Sequence, residues 1–147
     1  MSESKAIRIA SVKYVSKYIL RVRWVNGAAT PVDLHEPVHR LKGLKPLRDE
    51  TVFAGAKKGE GGHSVVWRED IDIGADRLWE MALEQQGRLD VVEFIRWRWR
   101  YGLSLSQAAE ALGISRRQLA YYASGKHAIP RTVLLACKGW EVEHKAA

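Results

Sequence analysis

The stretch SLSQAAEALGISRRQLAYYASGKHAIPR, residues 104–131, has the spacing of two short helices joined by a tight turn. Ser104 and Gln107, three residues apart, form a capping box that starts the first helix. Gly113 supplies the left-handed residue of the turn, and Ser115 caps the second helix. The segment is therefore predicted to fold as a helix, a sharp turn and a second helix.

The second of these helices is predicted to have one apolar and one polar face. At about 100° per residue, Leu119 and Tyr122 lie on the inward side. The outward side carries arginines, a tyrosine and small residues: Arg116, Arg117, Ala120, Tyr121 and Ser124. Small residues let a helix sink into a groove, and arginine can form paired hydrogen bonds with guanine edges. The outward face is therefore predicted to read duplex DNA.

The stretch also resembles the helix-turn-helix of the Cro/C1-type, or lambda repressor-like, family, over roughly residues 91–140. The matching positions are a small residue, the turn glycine and the apolar residues around them: Ala108, Ala109, Leu112, Gly113, Ile114, Leu119 and Tyr122. The resemblance implies base contacts from Ser115, Arg116, Arg117, Ala120 and Tyr121. It implies phosphate contacts from Ser104, Ser106, Lys126, His127 and Arg131, which would set the register on DNA.

Two positions depart from the pattern of that family. The family often has Gln at the first position of the leading helix, where this chain has Leu105. It also often pairs an arginine of its first helix with a late glutamate of the recognition helix. Arg98 stands at the arginine position, but the glutamate position is Ala123. Anchoring on DNA is therefore expected to be weaker or differently placed, and Arg98 is available for another role.

Residues 1–87 are predicted to form an antiparallel sheet with hairpins and a helix. YILRVRW and TPVDL alternate as half-buried strands do, with one shared inward face: Leu20, Val22, Trp24, Thr30, Val32 and Leu34. Asn26-Gly27 favours a hairpin turn between them. A bulge is expected near Ala10, and TVFAGAKK and HSVVW are predicted to form a second hairpin around GEGG. The helix covers ADRLWEMALEQQ and stops at Gly87.

The remaining part, residues 88–147, is predicted to be entirely helical. Its first helix covers DVVEFIRWRWRYG, with Asp90 as the cap and Gly102 as the stop. This helix has two apolar stripes, so one of them needs a partner outside the helical domain, either the N-terminal domain or a second copy of the chain. RWRWR is predicted to be core or interface in preference to a stacking surface for single-stranded bases. The fold class is therefore α+β: a small antiparallel-sheet domain over residues 1–87, then an all-α lambda repressor-like domain over residues 88–147.

Charge and cysteine content are consistent with a nucleic-acid partner and a reducing compartment. The formal net charge is +7; residues 1–87 hold 14 Lys and Arg against 12 Asp and Glu, and residues 88–147 hold 10 against 5. The excess therefore lies mostly in the helical half, and it suits a polyanion. Cys137 is the single cysteine and lies in an apolar helical run, so an inert buried thiol is predicted. We expect a cytoplasmic protein without membrane contact.

The N-terminal motifs VNG, VDL, LRD, VVW and DIDIGADRLWE resemble a small bacterial domain family of unknown function. Members of that family occur alone or ahead of a helix-turn-helix, and some are encoded beside small partners in toxin-antitoxin-like pairs. The resemblance implies a sensor, dimerisation or partner-binding role for residues 1–87.

Two motifs raise the question of a metal site. HEPVH, residues 35–39, fits the zinc-protease pattern H-E-x-x-H, which needs all five residues on one helix. Pro37 disfavours that geometry, so the motif is expected to straddle a strand end and a helix start. The acidic run EDIDIGAD could hold a divalent cation, but acidic residues ahead of a helix already stabilise its N-terminus. No metal or cofactor is predicted.

The sequence therefore predicts a non-enzymatic bacterial transcriptional regulator that binds double-stranded DNA through residues 115–124. A homodimer is expected, since one recognition helix contacts one half-site. An antitoxin-like protein with a small partner encoded nearby is one form of this hypothesis. The alternatives are a protein-protein interaction module with a structural helix-turn-helix and, less favoured, a zinc hydrolase that uses HEPVH.

Overall fold

The computed structural model describes residues 7–68 and 70–145. Within them the chain forms two compact units, which divide between Gln86 and Gly87. The first unit is mixed α and β, with two three-stranded antiparallel sheets, and the described part of the second contains four helices. No helix of the described residues is long and apolar enough to cross a membrane.

The first sheet has the order β1 (Ile9–Ser16), β2 (Ile19–Trp24) and β3 (Ala29–Asp33), all antiparallel. The register of β1 slips around Ala10, which confirms the bulge expected there. Gly27 in the β2–β3 connection has a positive φ of 98°. The inward face of the sheet is buried as the alternation predicts: Leu20, Val22, Trp24, Thr30, Val32 and, just after β3, Leu34.

Short helices, a second sheet and a longer helix complete the first unit. They follow in the order α1 (His35–Arg40), a 3-10 helix (Lys42–Arg48), α2 (Glu50–Phe53), β4 (Lys57–Lys58), a 3-10 turn (Glu60–Gly62), β5 (Ser64–Arg68), β6 (Ile71–Gly74) and α3 (Ala75–Gln85). Trp79 of α3 meets Trp24 edge to face, with 5.0 Å between ring centroids. The Gln85 side chain accepts the Asp33 N–H and donates to the Asp33 carbonyl, so α3 is fastened to the edge of the first sheet.

The segment TVFAGAKK differs from the strand that the sequence predicts. Asp49 starts α2 by accepting the Thr51 N–H at 2.9 Å, and Phe53 at the end of this short helix is completely buried. Lys57 and Lys58 alone form the strand that pairs with β5. The prediction was wrong over residues 51–53 because it took the apolar residues as strand and overlooked the aspartate that caps the turn.

The second unit comprises α4 (Leu89–Arg100), α5 (Leu105–Leu112), α6 (Arg116–Ala123) and α7 (Arg131–Lys145). All four helices contribute buried residues: Val91, Phe94, Trp97, Ala108, Leu119, Tyr122 and Cys137. Burial raises the pKa of the Cys137 thiol to about 12. The thiol therefore stays protonated and unreactive at neutral pH, as predicted.

The RWRWR segment of α4 contributes to this core. Trp97 is 3% exposed and its ring meets Trp140 edge to face, whereas Trp99 is 36% exposed. Arg98 is also buried, and its Nε donates to the Leu103 carbonyl at 3.0 Å while the Leu103 N–H bonds back to the Arg98 carbonyl. Arg98 therefore fixes the connection between α4 and α5.

Gly139 lies in the interior of α7, where a Cβ would meet no atom within 4 Å. Because glycine in a helix costs about 0.5–1 kcal/mol relative to alanine, Gly139→Ala is expected to raise the free energy of unfolding by about that amount. Urea unfolding measures the change. Gly113→Ala is the opposite control, because Gly113 has a positive φ of 70° and alanine there should destabilise the protein. An unfolding free energy that falls in Gly139→Ala would contradict the prediction.

Candidate nucleic-acid interface

The caps and the turn between α5 and α6 are present as the sequence predicts. The Ser104 hydroxyl accepts the Gln107 N–H at 3.0 Å, and the Gln107 side-chain oxygen accepts the Ser104 N–H at 2.9 Å. Gly113 ends α5 in the left-handed conformation. The Ser115 hydroxyl accepts the Gln118 N–H at the start of α6. Local hydrogen bonds and one glycine therefore set where each of the two helices begins and where α5 ends.

α6 has the buried and exposed faces that its periodicity predicts. Leu119 is completely buried and Tyr122 is nearly so, with the Tyr122 ring edge to face against Phe94 of α4. Arg116 and Arg117 are exposed on the other side. The other residues predicted for the outward face are half-buried: Ala120, Tyr121 and Ser124. The helix thus packs through its apolar side and presents the arginines to solvent.

Arg117 and Tyr121 are joined on the exposed side of α6. The Arg117 Nε donates to the Tyr121 hydroxyl at 3.0 Å, and the guanidinium carbon lies 5.7 Å from the centroid of the tyrosine ring. This hydrogen bond from a cation lowers the pKa of the Tyr121 phenol. Since the bond uses Nε, the two terminal nitrogens of Arg117 still carry donors. Tyr121 thereby orients a pair of donors of the kind that guanine recognition uses.

Lys126 and His127 surround the same tyrosine. The Lys126 Nζ lies 4.7 Å from the centroid of the Tyr121 ring, within cation–π range. The His127 ring lies 4.5 Å from Tyr121, and its Nδ1 is 3.0 Å from Gln118 Nε2. We call Arg117, Tyr121, Lys126 and His127 the basic-aromatic cluster. It brings two residues predicted to contact bases together with two predicted to contact phosphates.

The other predicted contact residues lie at the first turns of three helices. Ser104 and Ser106 are at the start of α5, Ser115 caps α6, and Arg131 is the exposed first residue of α7. The hydroxyls of Ser104 and Ser115 act as acceptors in the caps. Each can still donate its own hydrogen to a phosphate oxygen.

Arg88 and Asp90 hold the loop that carries Lys126 and His127, a role that was not predicted from the sequence. Arg88 is the N-cap residue of α4 and Asp90 is the second residue of the helix, which corrects the predicted cap. Its carboxylate instead accepts the Ile129 N–H at 2.9 Å and faces Arg88. Arg88 donates to the carbonyls of Gly125 and His127. Aspartate is favoured both as a cap and in the first turn, so only the contact with Ile129 distinguishes the two roles.

The environment of Asp90 favours its ionised form. Burial alone would raise the pKa of the Asp90 carboxyl, but hydrogen bonds from the Ile129 N–H and from Arg88 outweigh it. The pKa of Asp90 is therefore lowered from its ordinary value. A charged carboxylate thus anchors the loop at neutral pH.

Tyr121→Phe tests whether the tyrosine hydroxyl orients Arg117. The change keeps the ring beside Lys126 and His127 but removes the acceptor of the Arg117 Nε. Affinity for a preferred duplex is expected to fall by roughly two- to tenfold, and affinity for random duplex to stay nearly constant. Fluorescence anisotropy titrations measure both. Equal affinity of the variant and the unmodified protein for the preferred duplex would rule out an orienting role.

All five residues of HEPVH lie within α1, so the prediction that the motif would straddle a strand end and a helix start was wrong. Pro37 is the third residue of the helix, where an N–H has no intrahelical partner in any case. The rings of His35 and His39 stack with 4.3 Å between centroids, and Glu36 pairs with Arg40 at 2.6 Å. No group of three or more metal-ligating side chains occurs among the residues that the structure describes. The motif thus has the helical geometry of a zinc site but no third ligand within residues 7–68 and 70–145.

The acidic run EDIDIGAD is engaged in local contacts. Asp70 pairs with Arg68 at 3.6 Å, and Asp76 accepts the Arg77 N–H in the first turn of α3. Glu69 lies outside the described residues. These contacts favour the structural role predicted for this run.

Comparisons with known proteins found a family model that matches the first unit and a solved structure that matches most of the chain. The family model of DUF2442, described as "Protein of unknown function", matches residues 9–84. A solved crystal structure is that of a protein from Nitrosomonas europaea described as a "Putative DNA Binding Protein". Its sequence is 38% identical to this chain, and the two structures superpose with a TM-score of 0.70. That match covers 96% of this chain and 90% of the Nitrosomonas chain. No curated protein matches this chain significantly.

Proposed function

This chain belongs to DUF2442, a family of proteins of unknown function, and we propose that it is a non-enzymatic DNA-binding regulator of transcription. The observation that carries the proposal is the basic-aromatic cluster on the exposed side of α6. An arginine oriented by a tyrosine, with a lysine beside the same ring, suits a base edge flanked by phosphates. The description of the Nitrosomonas protein supports the same class of partner.

In this proposal α5, the turn and α6 form a lambda repressor-like helix-turn-helix, with α6 in the major groove. The base contacts come from the exposed side of α6: Ser115, Arg116, Arg117, Ala120 and Tyr121. Phosphate contacts come from the helix starts and the loop after α6: Ser104, Ser106, Lys126, His127 and Arg131. Because Arg88 and Asp90 hold that loop through Gly125, His127 and Ile129, they position Lys126 and His127 relative to α6.

The proposed assembly is a homodimer, since one α6 reaches one half-site of a two-fold operator. We assign dimerisation, sensing or partner binding to the first unit. An antitoxin-like role, with a small partner protein encoded nearby, is one form of the proposal. Such a protein would act in the cytoplasm.

Selection from a pool of randomised duplexes tests this function. The full-length protein is expected to enrich a two-fold sequence whose half-sites are centred about 34–36 Å apart, or a multiple of that distance. Sedimentation of the enriched complex should give two chains per duplex. Selection that enriches no sequence would overturn the proposal. A preparation free of zinc that still enriches the sequence would show that zinc is not needed for DNA binding.

A protein-protein interaction module is the second candidate function. It is favoured by exposed apolar residues on α7, where Leu135 is 48% and Val142 is 70% exposed. Under this alternative no duplex is enriched. Leu135→Ser would then disrupt association with a protein partner, whereas under the DNA-binding proposal it leaves the selected sequence unchanged.

A further inference from the structure

The outward face of the first sheet carries a set of exposed cations. Lys13 on β1 and Arg21 and Arg23 on β2 all face away from the buried side of the sheet and are exposed. Arg23 lies opposite Ser11 and Ala29, and Arg21 lies opposite Pro31 and Lys13. Apart from Lys13, the residues opposite the two arginines are therefore uncharged. We call Lys13, Arg21 and Arg23 the sheet cations.

No acidic side chain balances the sheet cations within the part of the chain that the structure describes. The sequence has no Asp or Glu between Glu3 and Asp33. Asp33, at the end of β3, accepts the His35 N–H. Among the described residues, no ion pair or side-chain hydrogen bond involves any of the three cations. The sheet cations therefore have no carboxylate within ion-pair distance among the described residues.

The pairing of the strands makes this arrangement unfavourable for the free protein. Lys13 is the direct cross-strand partner of Arg21. Like charges directly opposite each other on a sheet destabilise it. An anion bound over the pair would remove the repulsion, so the arrangement is better suited to a bound state than to the free protein.

From this geometry we propose that the sheet cations bind the sugar-phosphate backbone of duplex DNA. Two residues apart on one strand, Arg21 and Arg23 lie about 6.7 Å apart along it, and neighbouring strands are about 4.8 Å apart. Such a row suits a polymer that carries a phosphate for every 3.4 Å of each strand better than it suits a single anion. The face contacts phosphates and does not read bases.

The inference rests on the proposed function, because DNA held by α6 is present at high effective concentration for the first unit of the same chain. A second, sequence-independent contact would then strengthen binding to any duplex and leave the preferred sequence unchanged. An acidic protein surface is the competing partner, and the experiment includes it.

Titrations of the full-length protein at several salt concentrations test the sheet contact. Arg21→Gln/Arg23→Gln is expected to reduce the magnitude of the log-log salt slope by about 0.9 per lost phosphate contact, so by about 1.8, on both preferred and random duplex. The melting temperature should not fall, because the substitution removes like-charge repulsion. Lys42→Gln/Lys45→Gln is the matched control: it removes two exposed positive charges from the 3-10 helix of the same unit and should change the slope much less.

The outcomes separate this inference from the proposed function. An unchanged slope in Arg21→Gln/Arg23→Gln, while Arg117→Ala still loses preferred binding, overturns the sheet contact alone. Equal slope changes in both double variants also overturn it, because net charge would explain them. If Arg21→Gln/Arg23→Gln binds DNA normally but no longer binds polyglutamate, the sheet cations bind an acidic protein surface instead of DNA. If Arg21→Gln/Arg23→Gln reduces the salt slope on random duplex while the unmodified protein prefers no sequence, the sheet contact is supported and base reading by α6 is overturned.

Discussion

Replacing Arg117 by alanine is expected to weaken binding to the preferred duplex by about 1–3 kcal/mol and to change binding to random duplex much less. The Tyr121 hydroxyl holds the Arg117 Nε, so the paired terminal donors are positioned before DNA arrives. Removing them costs a base contact and leaves Lys126 beside the tyrosine ring for phosphates. Anisotropy titrations with both duplexes at one salt concentration measure the difference. An equal loss on both duplexes would contradict base reading by Arg117.

Two variants control for charge in the Arg117 experiment. Arg117→Lys keeps the charge but loses the planar pair of donors, so it should lose most of the preference for the selected duplex. Lys138→Ala removes one exposed charge from the same unit, and its pair with Glu93 is long, at 3.9 Å. That change should affect both duplexes slightly and equally. Arg117→Ala should also raise the pKa of the Tyr121 phenol, which ultraviolet titration measures without DNA.

Asp90→Ala is expected to lower the free energy of unfolding by about 2 kcal/mol at neutral pH. The substitution leaves the Ile129 N–H without its acceptor and Arg88 without its carboxylate. Hydrogen bonds to charged groups contribute about 1.5–3 kcal/mol each, and the partly exposed site places the effect in the lower part of that range. Urea unfolding measures it. Glu93→Ala, on the same helix with a half-exposed side chain, is the control and should change stability by less than about 0.5 kcal/mol.

The stabilisation of the folded protein by Asp90 should decrease as the pH falls. Because the folded protein lowers the pKa of this carboxyl, its stabilisation is complete above the unfolded pKa of about 4. It is lost as the pH falls through the folded pKa. The difference in free energy of unfolding between the unmodified protein and Asp90→Ala should therefore be largest at pH 7 and should shrink below about pH 4. A difference that widens as the pH falls would contradict this account of Asp90.

The parts of the fold that local sequence predicts are those held by contacts between near neighbours. Ser104 and Gln107 lie three residues apart and cap each other, and Gly113 is the residue that tolerates the left-handed turn. The faces of α6 follow from helical periodicity, and those of β2 from strand alternation. These features need no knowledge of the rest of the chain, so the sequence predicted them correctly.

The features that the sequence did not predict depend on distant partners or on competing local preferences. Asp90 was assigned to a cap because its true partner, Ile129, is 39 positions away. Pro37 was expected to disfavour helical geometry at Glu36, although the first turn of a helix tolerates proline. The basic-aromatic cluster was predicted residue by residue from a resemblance, but the hydrogen bond from Arg117 to Tyr121 is a matter of side-chain conformation. Spacing alone does not determine that conformation.

Competition between two duplexes tests most directly the central claim that the exposed side of α6 reads base sequence. The full-length protein is bound to the labelled selected duplex and titrated with unlabelled selected or random duplex at a fixed salt concentration. A specific binder should require about 10³-fold or more excess of the random duplex, and Arg117→Ala should lower that ratio by about 5- to 150-fold. Equal competition by the two duplexes with the unmodified protein would contradict the claim.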